Sequence, residues 1–275
     1  MPLVQMRKKD STSSKKNRIK KITMEFTINP KMPTEKELQQ SYQNEYDRIH
    51  KITDMNFWYK KLEKFTIPST SYNLTKKEIK ALIGLADGKR GSNILYALEE
   101  KLKPFLKEVQ FAKLNTRSPK DFSDCLFDNA SDLVLALGGG SMRTFEDLCM
   151  FYHVKEKCSI WFRTPTEMEH KGEWRCFVRN GELIGISQYF YMEHFDYTDE
   201  EKSMLLDLIP DFSSLIIDRF NEDDFVLYIY IDYSTRKTIL IEINPYGSSD
   251  PCLFDYEELE NNIGKKVLIK INAEK

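Results

Sequence analysis

Apolar and polar positions follow two different periods along this chain, and the period changes near residue 109. Up to that point the pattern is helical. Residues 35–50 (EKELQQSYQNEYDRIH) predict a polar helix, and the aromatics of FWYKKL (57–62) read as core or interface. Thr75 stands three residues before Glu78, a capping box opening a helix that stops near Gly88. Ile94, Leu95, Leu98, Leu102, Phe105 and Leu106 make a helical stripe over 92–109, interrupted at Pro104.

Strand-like runs then appear. VQFAKLN (109–115) predicts a strand, and Ser118 with Pro119 predicts a helix start, as cap and first helical residue. DLVLALGGGS (132–141) predicts a short strand ending in a flexible glycine turn. RTFEDLCMFYHV (143–154) predicts a helix and CSIWFR (158–163) a strand. Residues 173–190 predict a hairpin turning at Asn180-Gly181. Thr198, three before Glu201, caps a helix over 197–220 that breaks or kinks at Pro210. A second hairpin over 228–247 and a short helix in YEELENN (256–262) follow. Helices first, then hairpins interleaved with helices, predict an α+β fold rather than a doubly wound parallel sheet. No internal repeat is visible.

Composition narrows the class. With 41% hydrophobic, 31% charged and 12% aromatic residues, 275 residues suffice for a real core in one large domain or two small ones. A formal net charge of -2 is not that of a nucleic-acid-binding polycation. The five Cys form no C-x-x-C and are odd in number, which speaks against a zinc site or disulfide framework and for a reducing compartment. The four His form no H-E-x-x-H. LVLAL (133–137) is far too short to span a membrane, and the N-terminus has no apolar signal region. A soluble, cytoplasmic protein is expected. Residues 1–24 read as a disordered basic leader, and 25–275 as the folded part.

Chemistry concentrates in the strands. Alternation puts Leu227, Ile229 and Ile231 on one face of their strand and Tyr228, Tyr230 and Asp232 on the other. It puts Ile239, Ile241 and Ile243 on one face of the next, with Thr238, Leu240, Glu242 and Asn244 opposite. Glu242 and Asn244 therefore point together, about 7 Å apart. Two oxygen ligands so placed make a seat for Mg2+, or the ordinary polar side of a solvent-facing strand. Lys113 lies among apolar strand residues, where an unpaired ammonium is costly and a phosphate would satisfy it. Arg163 ends one strand and Arg175 lies inside another, and guanidinium forks suit phosphate or carboxylate. Together these residues describe a nucleoside triphosphate site; separate salt bridges to Glu167, Glu173 and Glu182 are the alternative. GGGS (138–141) lacks the lysine of a P-loop and the spacing of a dinucleotide turn. No Ser/His/Asp or Cys/His arrangement can be defended from spacing.

EWRCFVRNGELIGISQ (173–188), EDDFVLYIYID (222–232) and ILIEINPYG (239–247) resemble the cell division cycle protein 123 family. FWY (57–59) and FAKLN (111–115) fit it in the same order, so the likeness runs from about Phe57 to Glu260. The resemblance implies an ATP-grasp fold holding ATP and Mg2+ between two α+β lobes, here about 25–155 and 156–275. It implies an assembly chaperone of eukaryotic translation initiation factor 2 that binds the gamma subunit. On this likeness Lys113 contacts ATP phosphates, with Asn115 beside it. Arg163 opens a hinge segment that continues through Thr164 and Thr166 along the nucleotide. Arg175 is the arginine of the RCF motif. Glu242 replaces a metal-binding Asp, and Asn244 matches a metal-binding Asn. The family's acid at position 228 is Tyr here, unless Asp224 or Asp232 compensates, and its hinge lysine is Thr164. The expectation is an ATP-Mg2+-binding monomer without membrane or direct nucleic-acid contact. The alternatives are an ATP-grasp enzyme that activates a carboxylate or modifies a protein, and an interaction module that no longer binds ATP. The enzyme could be a divergent viral or bacterial copy acting on a host target. An enzyme should retain acidic metal ligands for phosphoryl transfer, so Tyr228 favours the binding role.

Overall fold

Two sheets divide the hydrophobic core between them in the computed structural model, which describes residues 33–89 and 91–272. The leader expected over 1–24 lies outside the described residues. The first sheet joins β1 (Ser69–Asn73), β2 (Gln110–Leu114), β3 (Leu126–Phe127) and β4 (Ser159–Arg163) in the order β1-β4-β2-β3, all antiparallel. The second joins β5 (Glu173–Arg179), β6 (Glu182–Gln188), β7 (Phe225–Asp232), β8 (Lys237–Pro245) and β9 (Leu268–Lys270). Its order is β8-β7-β5-β6-β9, antiparallel except for the β6–β9 pair. The expected α+β class is the one found. The chain passes from one sheet to the other between Arg163 and Glu173, because β4 still belongs to the first.

The helices are α1 (Glu35–Glu45), α2 (Lys51–Thr53), α3 (Met55–Leu62), α4 (Lys76–Gly84), α5 (Asn93–Leu102), α6 (Ala130–Leu135), α7 (Met142–His153), α8 (Asp199–Phe220) and α9 (Tyr256–Glu260). The capping boxes of α4 and α8 form as their sequences predict, each Thr hydroxyl taking a backbone N–H while its Glu returns to the cap. The α5 stripe, Leu95, Leu98 and Leu102, is buried in the core of the first sheet. Trp58 of α3 and Ile209, Ile216 and Phe220 of α8 pack instead against Leu227, Ile229 and Ile231 of the second. The β5–β6 hairpin turns at Asn180 and Gly181, both at positive φ (52° and 72°).

Four local expectations are corrected. No helix follows Ser118 and Pro119. Phe122 and Ser123 donate back to the Pro119 carbonyl in a turn, and pairing of β3 with β2 draws the chain into the sheet. Asp121 caps α7 instead, accepting from Ser141 Oγ (2.5 Å) and the Met142 N–H (2.9 Å). The run 132–141 is helical: α6 continues into a wide turn over Ala136–Gly140. A short apolar run cannot be assigned by period alone, and packing of Leu133, Val134 and Leu137 decided it. Gly138 is no flexible turn; a Cβ there would lie 2.6 Å from the Leu82 carbonyl oxygen of α4. The break allowed for at Pro210 does not occur, because α8 runs through it as one helix. Finally, the three-residue β9 was not anticipated; it owes its place to parallel pairing with β6.

Candidate functional site

The strands of the second sheet carry their polar residues in rows that register makes explicit. Arg175 of β5 lies opposite Tyr228 of β7, which lies opposite Glu242 of β8. Glu173 lies opposite Tyr230 in the next row. The alternation expected along β8 is broken by a bulge between the Tyr228–Glu242 and Ile229–Leu240 pairs. Leu240 thereby joins Ile243 in the core, while Ile239 and Ile241 are only half-buried. The expected layer of three isoleucines is therefore replaced by Leu240 and Ile243. The bulge depends on a segment far away in sequence. The Leu240 N–H donates to the Phe65 carbonyl (2.8 Å), and the Thr66 hydroxyl donates to the Leu240 carbonyl (2.6 Å).

Arg163 and Lys113 reach from the first sheet to this strand. Arg163 Nη1 donates to the carbonyl of the bulged Ile241 (2.8 Å), and Nη2 donates to Thr66 Oγ1 (3.0 Å). Burial lowers the Arg163 guanidinium to about 10, still charged at neutral pH. Its buried Nε has no partner among the described residues. Lys113 is 2% exposed and forms an ion pair with Glu242 Oε1. Burial would raise the Glu242 carboxyl, but Lys113, Lys120 and Arg163 outweigh it and hold it at about 2. Burial also lowers the Lys113 ammonium, against the pull of Glu242. The ammonium expected to lack a protein partner thus has one, and it is none of Glu167, Glu173 and Glu182.

Two cavities open on these residues. One, of about 600 Å³, is walled by Ile67, Phe111 and Ile241 and by the segment from Arg163 through Thr164 and Thr166 to Met168. Glu173 and Tyr228 line its floor, the Tyr228 hydroxyl donating to the Glu173 carboxylate. Burial pushes the Glu173 carboxyl up to about 7. The other cavity, of about 720 Å³, is bordered by Glu242, Asn244, Arg175 and Asp250 on one side and by Arg117, Arg143 and Asp147 on the other. Lys120 lines both. Arg175 lies over the Tyr189 ring, donates Nη1 to the Asp250 carbonyl, and keeps a buried Nε without a partner among the described residues.

Arg163, Thr164 and Thr166 line the first of these cavities and Arg175, Glu242 and Asn244 the second; Lys113 lines neither and reaches the site through its ion pair with Glu242, and Asn115 lies away from both. Asn115 is fully buried. Its Oδ1 accepts from the Ser159 N–H (2.9 Å), and its carbonyl accepts from the Met55 N–H (2.8 Å), tying β2 to β4 and α3. Asp224 and Asp232 do not replace the acid missing at 228. Asp224 accepts from Arg179 Nη1 (2.5 Å) and Asp232 from the hydroxyls of Ser234 and Thr235 (both 2.6 Å) in the β7–β8 turn. Lys120 and Glu173 were missed as cleft residues. Lys120 fell in a segment read as helix, and only the cross-strand row of Glu173 beside Arg175 signals its place.

A model of the D123 family matches residues 86–273. This chain belongs to the D123 family. It is 33% identical over 168 residues to the translation initiation factor eIF2 assembly protein of Xenopus laevis, covering 56% of this chain and 49% of that protein. It is 30% identical over 164 residues to the protein of the same name from Danio rerio, covering 54% and 47%. The chain thus spans about half the length of the curated relatives it matches. Among solved structures it resembles Cdc123 from Schizosaccharomyces pombe with a TM-score of 0.67 and 23% identity, covering 81% of this chain and 96% of that one. The family resemblance of the three strand motifs is thereby shown, and the D123 member shares the Cdc123 fold.

Proposed function

We propose that this D123 member binds ATP in the cleft between its sheets and assists assembly of translation initiation factor 2, through that factor's gamma subunit. One observation carries the nucleotide reading. The buried Nε donors of Arg163 and Arg175 lack partners among the described residues, at two cavities that Lys120 also lines. Buried donors are rarely left unmade, and phosphate oxygens would complete them. The hinge segment with Thr164 and Thr166, facing Ile67, Phe111 and Ile241, offers apolar walls for a base. A nucleotide held between two sheets in this way is what the family resemblance implies. The assembly role rests on the names of the relatives. The family resemblance assigns a Mg2+ to Glu242 and Asn244, but in this chain Lys113 already holds Glu242. A cytoplasmic setting fits the free thiols of all five cysteines. Among the described residues no helix is long and apolar enough to cross a membrane.

Thermal unfolding with and without ATP tests the site. ATP at about a hundred times its Kd should add about 3 kcal/mol, a rise of several degrees in Tm. An unchanged Tm at saturating ATP would sink the nucleotide reading. Co-purification with the gamma subunit, with ATP present, tests the second half; reproducible failure to bind counts against it.

A further inference from the structure

We infer that the cleft holds its nucleotide without needing a divalent cation, because its own cations neutralise the phosphates. The inference rests on the nucleotide reading above and goes beyond it. The donor set is the first argument. Mg2+ is held through a carboxylate or two together with phosphates and water. Here Tyr228 fills the row between Arg175 and Glu242, and its hydroxyl is turned to Glu173 on the neighbouring strand. Asp224 and Asp232 are committed to Arg179 and to the β7–β8 turn.

The field is the second argument. Glu242 Oε1 is held by Lys113, and drawing that carboxylate to a metal would leave a buried ammonium without its partner. Lys120 lines the cavity beside Glu242 and Arg163 bonds the neighbouring Ile241 carbonyl, and cations so placed repel a dication. The third argument is what the cleft leaves incomplete. Among the described residues, the buried side-chain atoms lining it that lack partners, Arg163 Nε and Arg175 Nε, are donors, which fit an anion and not a cation. The fully ionised triphosphate, stripped of metal, carries more negative charge for these groups to meet than the Mg2+ complex does.

Calorimetric titration of the full chain with ATP, once in Mg2+ and once in excess EDTA, tests this. The two affinities should agree within about fivefold. A greater loss of affinity in EDTA overturns the inference while leaving the nucleotide site standing. No binding in either buffer overturns both. Tyr228→Asp, which returns an acid to the row, should make ATP binding weaken by more than about fivefold in EDTA. A folded Y228D that stays indifferent to Mg2+ overturns the role given to Tyr228. The wild-type titrations decide the main point even where that variant misfolds.

Discussion

Replacing Glu242 by Gln tests whether the Lys113–Glu242 pair fastens the two sheets together. The pair joins β2 to β8, residues 129 apart in sequence, with Lys113 almost fully buried. Two routes give the magnitude. The carboxyl falls from its ordinary 4.5 to about 2, which at about 1.4 kcal/mol per pH unit is about 3 kcal/mol. Breaking a buried pair by removing one partner costs about 3–5 kcal/mol, because the other charge is stranded. E242Q should therefore lose about 3 kcal/mol at pH 7, lowering Tm by about 10 °C for a chain of this size. The sign of the pH dependence follows from the lowered carboxyl. Its contribution is fully present above 4.5 and is lost as pH falls toward 2, so wild type and E242Q should converge on acidification. Urea unfolding followed by fluorescence of the buried Trp58, Trp161 and Trp174 reads both effects. Lys113→Met should be similarly destabilising, and the double variant Lys113→Met/Glu242→Leu should recover most of the loss. A loss below about 1 kcal/mol in E242Q, or losses that simply add in the double variant, would refute the reasoning.

Three further outcomes follow from the same geometry. Glu173, raised to about 7 by burial, keeps a proton in the folded state that the unfolded chain releases above about 4.5. Stability should therefore fall by up to about 3 kcal/mol as pH rises from 4.5 to 7, and Glu173→Gln should remove that slope in urea titrations across the window. Thr66→Val removes the hydroxyl that joins Arg163 to the Leu240 carbonyl, and should cost about 1–3 kcal/mol in urea unfolding. Gly138→Ala pushes a methyl to 2.6 Å from the Leu82 carbonyl oxygen. It should lower stability by about 1–3 kcal/mol in thermal unfolding, whereas a flexible turn would tolerate it.

What the sequence determined by itself was local. Capping boxes at Thr75 and Thr198, the turn at Asn180-Gly181 and the core face of β7 are written in residues a few positions apart, so periodicity and cap chemistry reveal them. The same locality marked Lys113, Arg163 and Arg175 as basic residues inside strands. Only the tertiary structure decided how those charges are spent. The bulge that sends Leu240 to the core and the Ile241 carbonyl to Arg163 is held by Phe65 and Thr66, a segment that no alternation along β8 can sense. Pairing of Lys113 with Glu242, burial of Asn115 in the scaffold, and entry of Lys120 into the cleft are likewise set by how two sheets meet. The physical reason is range. Backbone preference acts over a turn or a strand, whereas a buried charge or an orphaned carbonyl must find its partner wherever the fold brings one, however distant in sequence.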